Sequence, residues 1–400
     1  MRIALICDLY PPSRTSVAVQ MRDLAREFAA QGHEPVVLAP IERPCPAWLE
    51  QEESDGVRVV RLRAPGTKDY GYVRRTLAEL ALPFAMLRGL RTSPLREIKW
   101  DGIIWYAPSI FFGPLIWWLK RRSNCPTYLI LRDIFPEWAV DLGLLRKGPV
   151  YYFFKLIANF QYRVADCIGV QTPSNLEYLS DWSKRSGNRL EVLQNWLAEA
   201  PNVGSTISIS DSELAGRDIL VYVGNMGVAQ GTQVFIELAY QLKHREDLGF
   251  LFVGRGGDVP ALIDQAREYQ LDNTLFYSEI DTSEIPGLLA QCAVGLLALS
   301  PKHNSHNIPG KFLTYLQAGL PVLARVNHGT DLVSIIENEG VGRVYTGDSI
   351  ETLRTLTEDL LDSPEARGEM SRQGQALAVR MFSPAIACKQ ILTSLSHPGH

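Results

Sequence analysis

Residues 221–231 run Val221-Tyr222-Val223-Gly224-Asn225-Met226-Gly227-Val228-Ala229-Gln230-Gly231. A short β-branched run ends in a glycine loop, and a helical pattern opens at about residue 231. Such a turn lets backbone N–H groups approach a phosphate, and the following helix N-terminus favours negative charge. The spacing is neither G-x-G-x-x-G nor a Walker A loop, because no Gly-Lys-Ser/Thr follows. Glycines in strand-to-helix turns also serve structure alone, so two readings stand: an anion site or a tight turn.

Outward from that turn, the second half continues as an α/β series. Strand patterns fall at 219–223, 250–253, 274–277, 294–297 and 321–323, with helical patterns near 231–243, 260–270, 285–291 and 311–317. The first half alternates in the same way. Strand patterns fall at 2–7, 35–38, 57–62, 102–105, 127–131, 167–170 and 190–193, and a helix near 17–30 closes at Gly32, a suitable C′ residue. Between the halves, residues 197–217 are rich in Ala, Pro, Asn, Gly and Ser and read as a linker. The expected fold is α/β: two Rossmann-like doubly wound domains, 1–196 and 197–377, facing across a cleft, with a C-terminal helix at 378–396 rejoining the first. Ligands of such sheets bind outside the carboxyl ends of the strands.

The chain has 400 residues, 46% hydrophobic and 21% charged, a globular balance that excludes wholesale disorder. Six scattered cysteines with no C-x-x-C pair are neither a disulfide framework nor a zinc signature, and they suit a reducing cytosol. The apolar run from Ile3 to Cys7 is too short for a signal peptide. Charge is asymmetric: residues 1–200 carry 26 Lys+Arg against 21 Asp+Glu, and residues 201–400 carry 14 against 23. The excess is concentrated at 58–99, with ten basic residues and three acidic ones. One basic face on an acidic protein implies an anionic partner: nucleic acid, anionic lipid or a phosphorylated acceptor.

Residues 102–119 carry no charge, but Pro108, Gly113 and Pro114 interrupt them, which favours a core strand and a buried helix over a membrane span. The apolar stretch 77–90 inside the basic segment, with Trp117, Trp118, Tyr151, Tyr152, Phe153 and Phe154, reads either as core or as a membrane-surface face.

Two further motifs carry chemistry. In Asn307-Ile308-Pro309-Gly310-Lys311-Phe312, Pro309 and Gly310 mark a helix entry, which puts Lys311 in the first turn. A cation there opposes the helix dipole at about 0.3–1 kcal/mol. A bound diphosphate reverses that sign; an exposed lysine turned to solvent is the plainer alternative. Leu131-Arg132-Asp133-Ile134-Phe135-Pro136-Glu137-Trp138 follows the strand at 127–131, so Arg132 and Asp133 fall at its carboxyl end. Asp133 and Glu137 serve either as acid/base or hydroxyl-orienting groups, or as an N-cap and a first-turn residue. His303 and His306 lack a nearby carboxylate or cysteine, so no metal site is expected. No G-x-S-x-G or H-E-x-x-H occurs. The first strand turn, 8–15, has no glycine, which disfavours a nicotinamide oxidoreductase.

At these residues the chain resembles the retaining glycosyltransferases of family 4, which have the GT-B fold of two Rossmann-like domains. Asp8-Leu9-Tyr10-Pro11-Pro12 and Gly32-His33-Glu34 resemble the family's start. Gly224-Asn225-Met226-Gly227 with Ala229-Gln230-Gly231, then Phe252-Val253-Gly254-Arg255-Gly256 and Pro309-Gly310-Lys311, resemble its donor-binding half. Residues 132–138 and Gln171-Thr172-Pro173-Ser174-Asn175 are most similar to bacterial O-antigen and capsule N-acetyl-L-fucosamine transferases. The resemblance implies a UDP-linked sugar in the C-terminal domain, with Gly224, Asn225, Gly227, Gln230, Arg255 and Lys311 on the donor side. It implies no cofactor and no metal. The family's paired glutamates fall on His306 and Thr314, which alters the sugar and ribose grip and puts more of the diphosphate charge on Lys311. Arg132, Asp133 and Glu137 stand where catalytic groups are expected.

The implied reaction is front-face attack with retention, the departing phosphate taking the acceptor proton. The implied acceptor is a saccharide on polyprenyl diphosphate, reached at the inner face of the plasma membrane by a cytoplasmic, peripherally bound enzyme of lipopolysaccharide biosynthesis. On that reading the anionic partner is membrane rather than nucleic acid. A nucleotide-sugar 2-epimerase of the same fold and a non-catalytic nucleotide-sugar-binding protein are the competing readings.

Overall fold

The computed structural model describes residues 1–41, 47–67, 71–141, 143–228, 230–300 and 307–397. The chain divides into two compact units, Met1–Leu197 with Ser383–His400, and Ala198–Phe382.

The first unit runs β1 (Arg2–Ile6), α1 (Ser16–Ala30), β2 (Glu34–Pro40), β3 (Leu49–Ser54), β4 (Val57–Leu62), α2 (Tyr72–Arg91), β5 (Gly102–Ala107), α3 (Gly113–Ser123), β6 (Thr127–Leu131), α4 (Glu137–Asp141), α5 (Pro149–Val164), β7 (Cys167–Val170), α6 (Pro173–Ser186) and β8 (Arg189–Val192). Its sheet has the order β3-β4-β2-β1-β5-β6-β7-β8. The central strands, such as Gly102–Ala107, are buried along their whole length, as parallel strands covered on both faces must be. Strand β3 was not expected. Its sequence, Leu49-Glu50-Gln51-Glu52-Glu53-Ser54, has no apolar alternation, because it is an antiparallel edge that, among the described residues, pairs only with β4.

Two cores flank this sheet. Leu82, Met86 and Leu90 of α2, Leu115, Ile116 and Leu119 of α3, and Ala158 and Tyr162 of α5 bury one face. Met21, Leu24 and Phe28 of α1 bury the other. The uncharged stretch 102–119 is therefore strand, loop and half of a core helix. Among the described residues no helix is long and apolar enough to cross a membrane.

The second unit runs β9 (Asp218–Asn225), α7 (Gln233–Gln241), β10 (Leu248–Arg255), α8 (Val259–Glu268), β11 (Thr274–Tyr277), α9 (Ile285–Leu289), β12 (Val294–Ala298), α10 (Gly310–Gln317), β13 (Val322–Arg325), α11 (Asp331–Glu339), β14 (Gly342–Tyr345), α12 (Ile350–Leu361) and α13 (Pro364–Phe382). Its strands are all parallel, in the order β11-β10-β9-β12-β13-β14. Central β9 and β12 pair at Leu220–Val294 and Val221–Gly295, and their ladder stops short of their carboxyl ends, at the point where the strand order turns, which is where such sheets bind ligands.

The single C-terminal helix expected at 378–396 is two helices. Pro384 lacks an N–H and cannot continue α13, while the Ser383 hydroxyl accepts from Ile386 N and starts α14 (Pro384–Ser396). Helix α13 belongs to the second unit and α14 to the first, where Ala387, Cys388 and Ile391 complete the α1-side core.

Candidate active site

In the second unit, β9 and β10 run in register to their ends, pairing Gly254 with Gly224 and Arg255 with Asn225. Gly224 has φ +119 and Gly254 has φ +152. A Cβ at Gly254 would stand 2.0 Å from the Gly224 carbonyl oxygen, so the two loops touch backbone to backbone and only glycine fits. This close approach gives the glycines of both motifs a structural task.

Lys311 meets this turn from α10. A Cβ on Gly224 would lie 3.9 Å from both Cε and Nζ of Lys311. The ammonium lies over the Tyr222 ring, 3.6 Å from its centroid. Nζ is buried and has no hydrogen-bond partner among the described residues. Burial pulls its pKa down from 10.5 to about 7. The solvent-turned alternative for Lys311 is thereby removed: its charged end points inward, beside a glycine loop, with the Tyr222 ring against it. Helix α10 is pinned by Tyr315, whose hydroxyl accepts from Val223 N at 3.0 Å and donates to Val221 O at 3.3 Å. These bonds tie the second turn of α10 to the end of β9 and so fix where Lys311, one turn earlier, sits. Neither tyrosine was singled out as functional. Their signal lay in chain position, Tyr222 two residues before the glycine and Tyr315 one turn after the lysine.

The remaining donor-side residues divide. The Gln230 side-chain oxygen accepts from Gly227 N at 3.2 Å and from Asn225 Nδ2 at 3.0 Å, so these three residues brace the loop internally. Arg255 is exposed, with its guanidinium on Glu279 through Nε–Oε2 at 3.1 Å and Nη1–Oε1 at 3.3 Å. The Thr314 hydroxyl donates back to Gly310 O at 3.3 Å, inside its own helix. His306 lies outside the described residues, as does Ala229 of the glycine loop.

The first unit holds the other three. Arg132 does not present its charge at the strand end, as its position suggested. Its guanidinium is buried, donating from Nη1 to Leu193 O at 2.5 Å and from Nη2 to Gln194 O at 3.0 Å, with the Trp196 ring 5.0 Å away. It fastens the segment leaving β8 to the end of β6. Glu137, in the first turn of α4, is ion-paired with Lys155 of α5 and accepts from Tyr151 OH at 3.4 Å. It joins two helices through a mostly buried pair. Asp133 is half-buried at the carboxyl end of β6. The Thr172 and Asn175 side chains form a capping box at the start of α6, so that motif builds a helix end.

Comparison with known proteins follows the same division. Residues 15–196 match the glycosyl transferase 4-like domain, and residues 207–377 match the glycosyl transferases group 1. Each half of the chain thus matches a glycosyltransferase domain, on a fold of two Rossmann-like α/β units that matches GT-B structures. The chain is 27% identical over 220 residues to WbjE of Pseudomonas aeruginosa, named a glycosyltransferase; that match spans 54% of each chain, about half the relative's length. It is 24% identical over 378 residues to WcaI of Escherichia coli strain K12, whose name assigns it to colanic acid biosynthesis as a glycosyl transferase, covering 88% of this chain and 90% of that one. Among solved structures, Anabaena HepE in complex with UDP and glucose shares the fold, with a TM-score of 0.66 over 99% of both chains at 15% identity.

Proposed function

We propose that the chain transfers a sugar from a UDP-linked donor to a lipid-linked saccharide in bacterial surface polysaccharide synthesis, at the inner face of the plasma membrane. The observation that carries this reading is the buried, unpartnered Lys311 ammonium against the Gly224 turn. An uncompensated buried cation is costly, and a diphosphate supplies what it lacks. The names of WcaI and of the HepE complex support the polysaccharide context and the UDP moiety.

In the proposed step the bond between the sugar C1 and the diphosphate oxygen breaks, and its electron pair leaves with the phosphate. The acceptor oxygen bonds to C1 from the same face, and its proton passes to the departing phosphate oxygen. Lys311 stabilises the charge that develops on the leaving group, and no metal is required. On the first unit, Asp133 is the residue that orients the acceptor hydroxyl, and Arg132 and Glu137 hold the backbone on either side of Asp133. Thr314 and His306, in place of the family's glutamates, leave the ribose and sugar contacts altered, and N-acetyl-L-fucosamine is the donor sugar we favour.

A mass-spectrometric screen of nucleotide sugars against a polyprenyl-diphosphate N-acetylhexosamine tests this. Transfer with retention of anomeric configuration is expected. Epimerised free nucleotide sugar would make the chain an epimerase, and UDP binding without any turnover would make it a binding protein.

A further inference from the structure

Helices α2, α3 and α5 lie side by side over one face of the first unit's sheet, burying one side of each in the same core. They lead into β5, β6 and β7, which are parallel, so all three helices run in the same direction across the sheet. Their outward sides are therefore comparable end to end, and each ends basic after an exposed apolar stretch, with α2 also exposing Arg74 and Arg75 in its first turn. Val73 and Leu77 on α2, Trp117 on α3, and Phe153 and Leu156 on α5 are exposed in the first halves, Leu77 at 61% and Leu156 at 69%. Phe84 and Phe160 are exposed further along. The last turns are basic: Arg88 and Arg91, Arg121 and Arg122, and Arg163.

Of the aromatic residues expected on such a face, Trp117, Tyr152 and Phe153 are exposed. Trp118, Tyr151 and Phe154 are half-buried. The guanidinium of Arg121 lies over Trp117 at 4.8 Å, and those of Arg91 and Arg122 each lie 5.7 Å from the Trp118 ring. Arginines placed over indole rings at an apolar–basic boundary suit a headgroup region, where ring and charge are both accommodated.

We infer that the outward sides of α2, α3 and α5 form one surface that docks on an anionic lipid bilayer, the apolar band entering the acyl boundary and the basic band meeting the headgroups. This deepens the proposed function, since a lipid-linked acceptor is reached at a membrane. Charge decides the occupant. Helices α3 and α5 contain no carboxylate, and α2 contains only Glu79, which Arg75 holds in an i,i+4 pair. A second copy of the chain docked symmetrically on this face would set the basic band either against its own copy, which repels, or against the apolar band, which strips the charges of water without pairing them. A bilayer with acidic lipid complements both bands, at about 1 kcal/mol per basic residue near its surface.

Flotation of the full chain with phosphatidylcholine vesicles, with and without about one-third phosphatidylglycerol, tests the surface. Binding is expected only to the acidic vesicles and is expected to weaken with salt. L156S/F160S and R88E/R121E are each expected to bind at least ~10-fold more weakly with unchanged circular dichroism. K389E, on α14 over the opposite face, is expected to bind as wild type. Equal binding by all variants, or no binding to either vesicle, overturns the proposal. A wild-type dimer that the two variants convert to monomer also overturns it, in favour of a protein contact. UDP affinity is measured on the same preparations. UDP binding without vesicle binding removes the surface alone, and vesicle binding without UDP affinity removes the transferase reading alone.

Discussion

Lys311 concentrates the chemistry at the scale of single residues. Its ammonium is charged in the unfolded chain up to about pH 10.5 and in the folded chain only up to about 7. Between those values the unfolded state holds a proton that the native state has shed, so this group's contribution to stability rises with pH across that window. Below pH 7 both states are charged and the full cost of burial is present. Lys311→Met should therefore raise the melting temperature at pH 7 and flatten its rise toward pH 10. The same lysine should take up a proton when UDP binds above pH 7. Calorimetry at pH 8 in buffers of different ionisation enthalpy should show uptake of up to one proton in the wild type and none in Lys311→Met. In turnover, Lys311→Ala should lower kcat/KM by about 10²–10³, the range for losing one preorganised charge-stabilising group. Near-normal turnover would take Lys311 out of the site.

Gly254 and Arg132 show why residue type alone misleads. Gly254→Ala places a methyl group 2.0 Å from the Gly224 carbonyl oxygen at φ +152, so it should cost at least about 3 kcal/mol in denaturant unfolding and weaken UDP binding by displacing the Gly224 turn. Arg132, read as a catalytic candidate, is spent on the carbonyls of Leu193 and Gln194. An arginine after a strand looks identical in sequence whether it faces a ligand or its own chain sixty residues on. Only the folded neighbourhood distinguishes the two.

At the scale of elements, the strongly apolar strands were recognisable because burial on both faces writes itself as a continuous run. Strands β6 and β7, buried throughout, have the bounds that their patterns gave, as do β4, interrupted by Arg58 and Arg61, and the half-buried edge strand β11. Edge strand β3 escaped notice because it buries almost nothing, and α14 was run together with α13 because both are good helix formers on either side of Ser383. The separation is testable. Ser383→Ala removes the cap of α14 and should cost about 1 kcal/mol, whereas Ile391→Ala removes a fully buried side chain and should cost about 2–5 kcal/mol. Equal, negligible effects in thermal melts would mean that α14 is not part of the first unit's core.

At the scale of the whole molecule, each unit has its own sheet and its own cores, so unfolding should not be two-state. Calorimetry is expected to resolve two transitions. UDP at about 100 times its Kd should stabilise the one belonging to residues 198–382 by about 2.7 kcal/mol and leave the other in place. A uniform shift of both would place the nucleotide contacts differently.

The amino-acid order by itself determined the alternation of strands and helices and the placing of Gly224 and Lys311 at strand and helix ends, because periodicity, glycine and proline act locally. Residues 198–217, read as a linker from their composition, instead belong to the second unit, where Ile207, Ile209 and Leu214 are buried. Tertiary structure alone decided which way the charged side chains point: Lys311 inward over Tyr222, Arg132 into the chain, Glu137 onto Lys155. Those directions depend on partners distant in sequence, and on burial, which no window of residues contains.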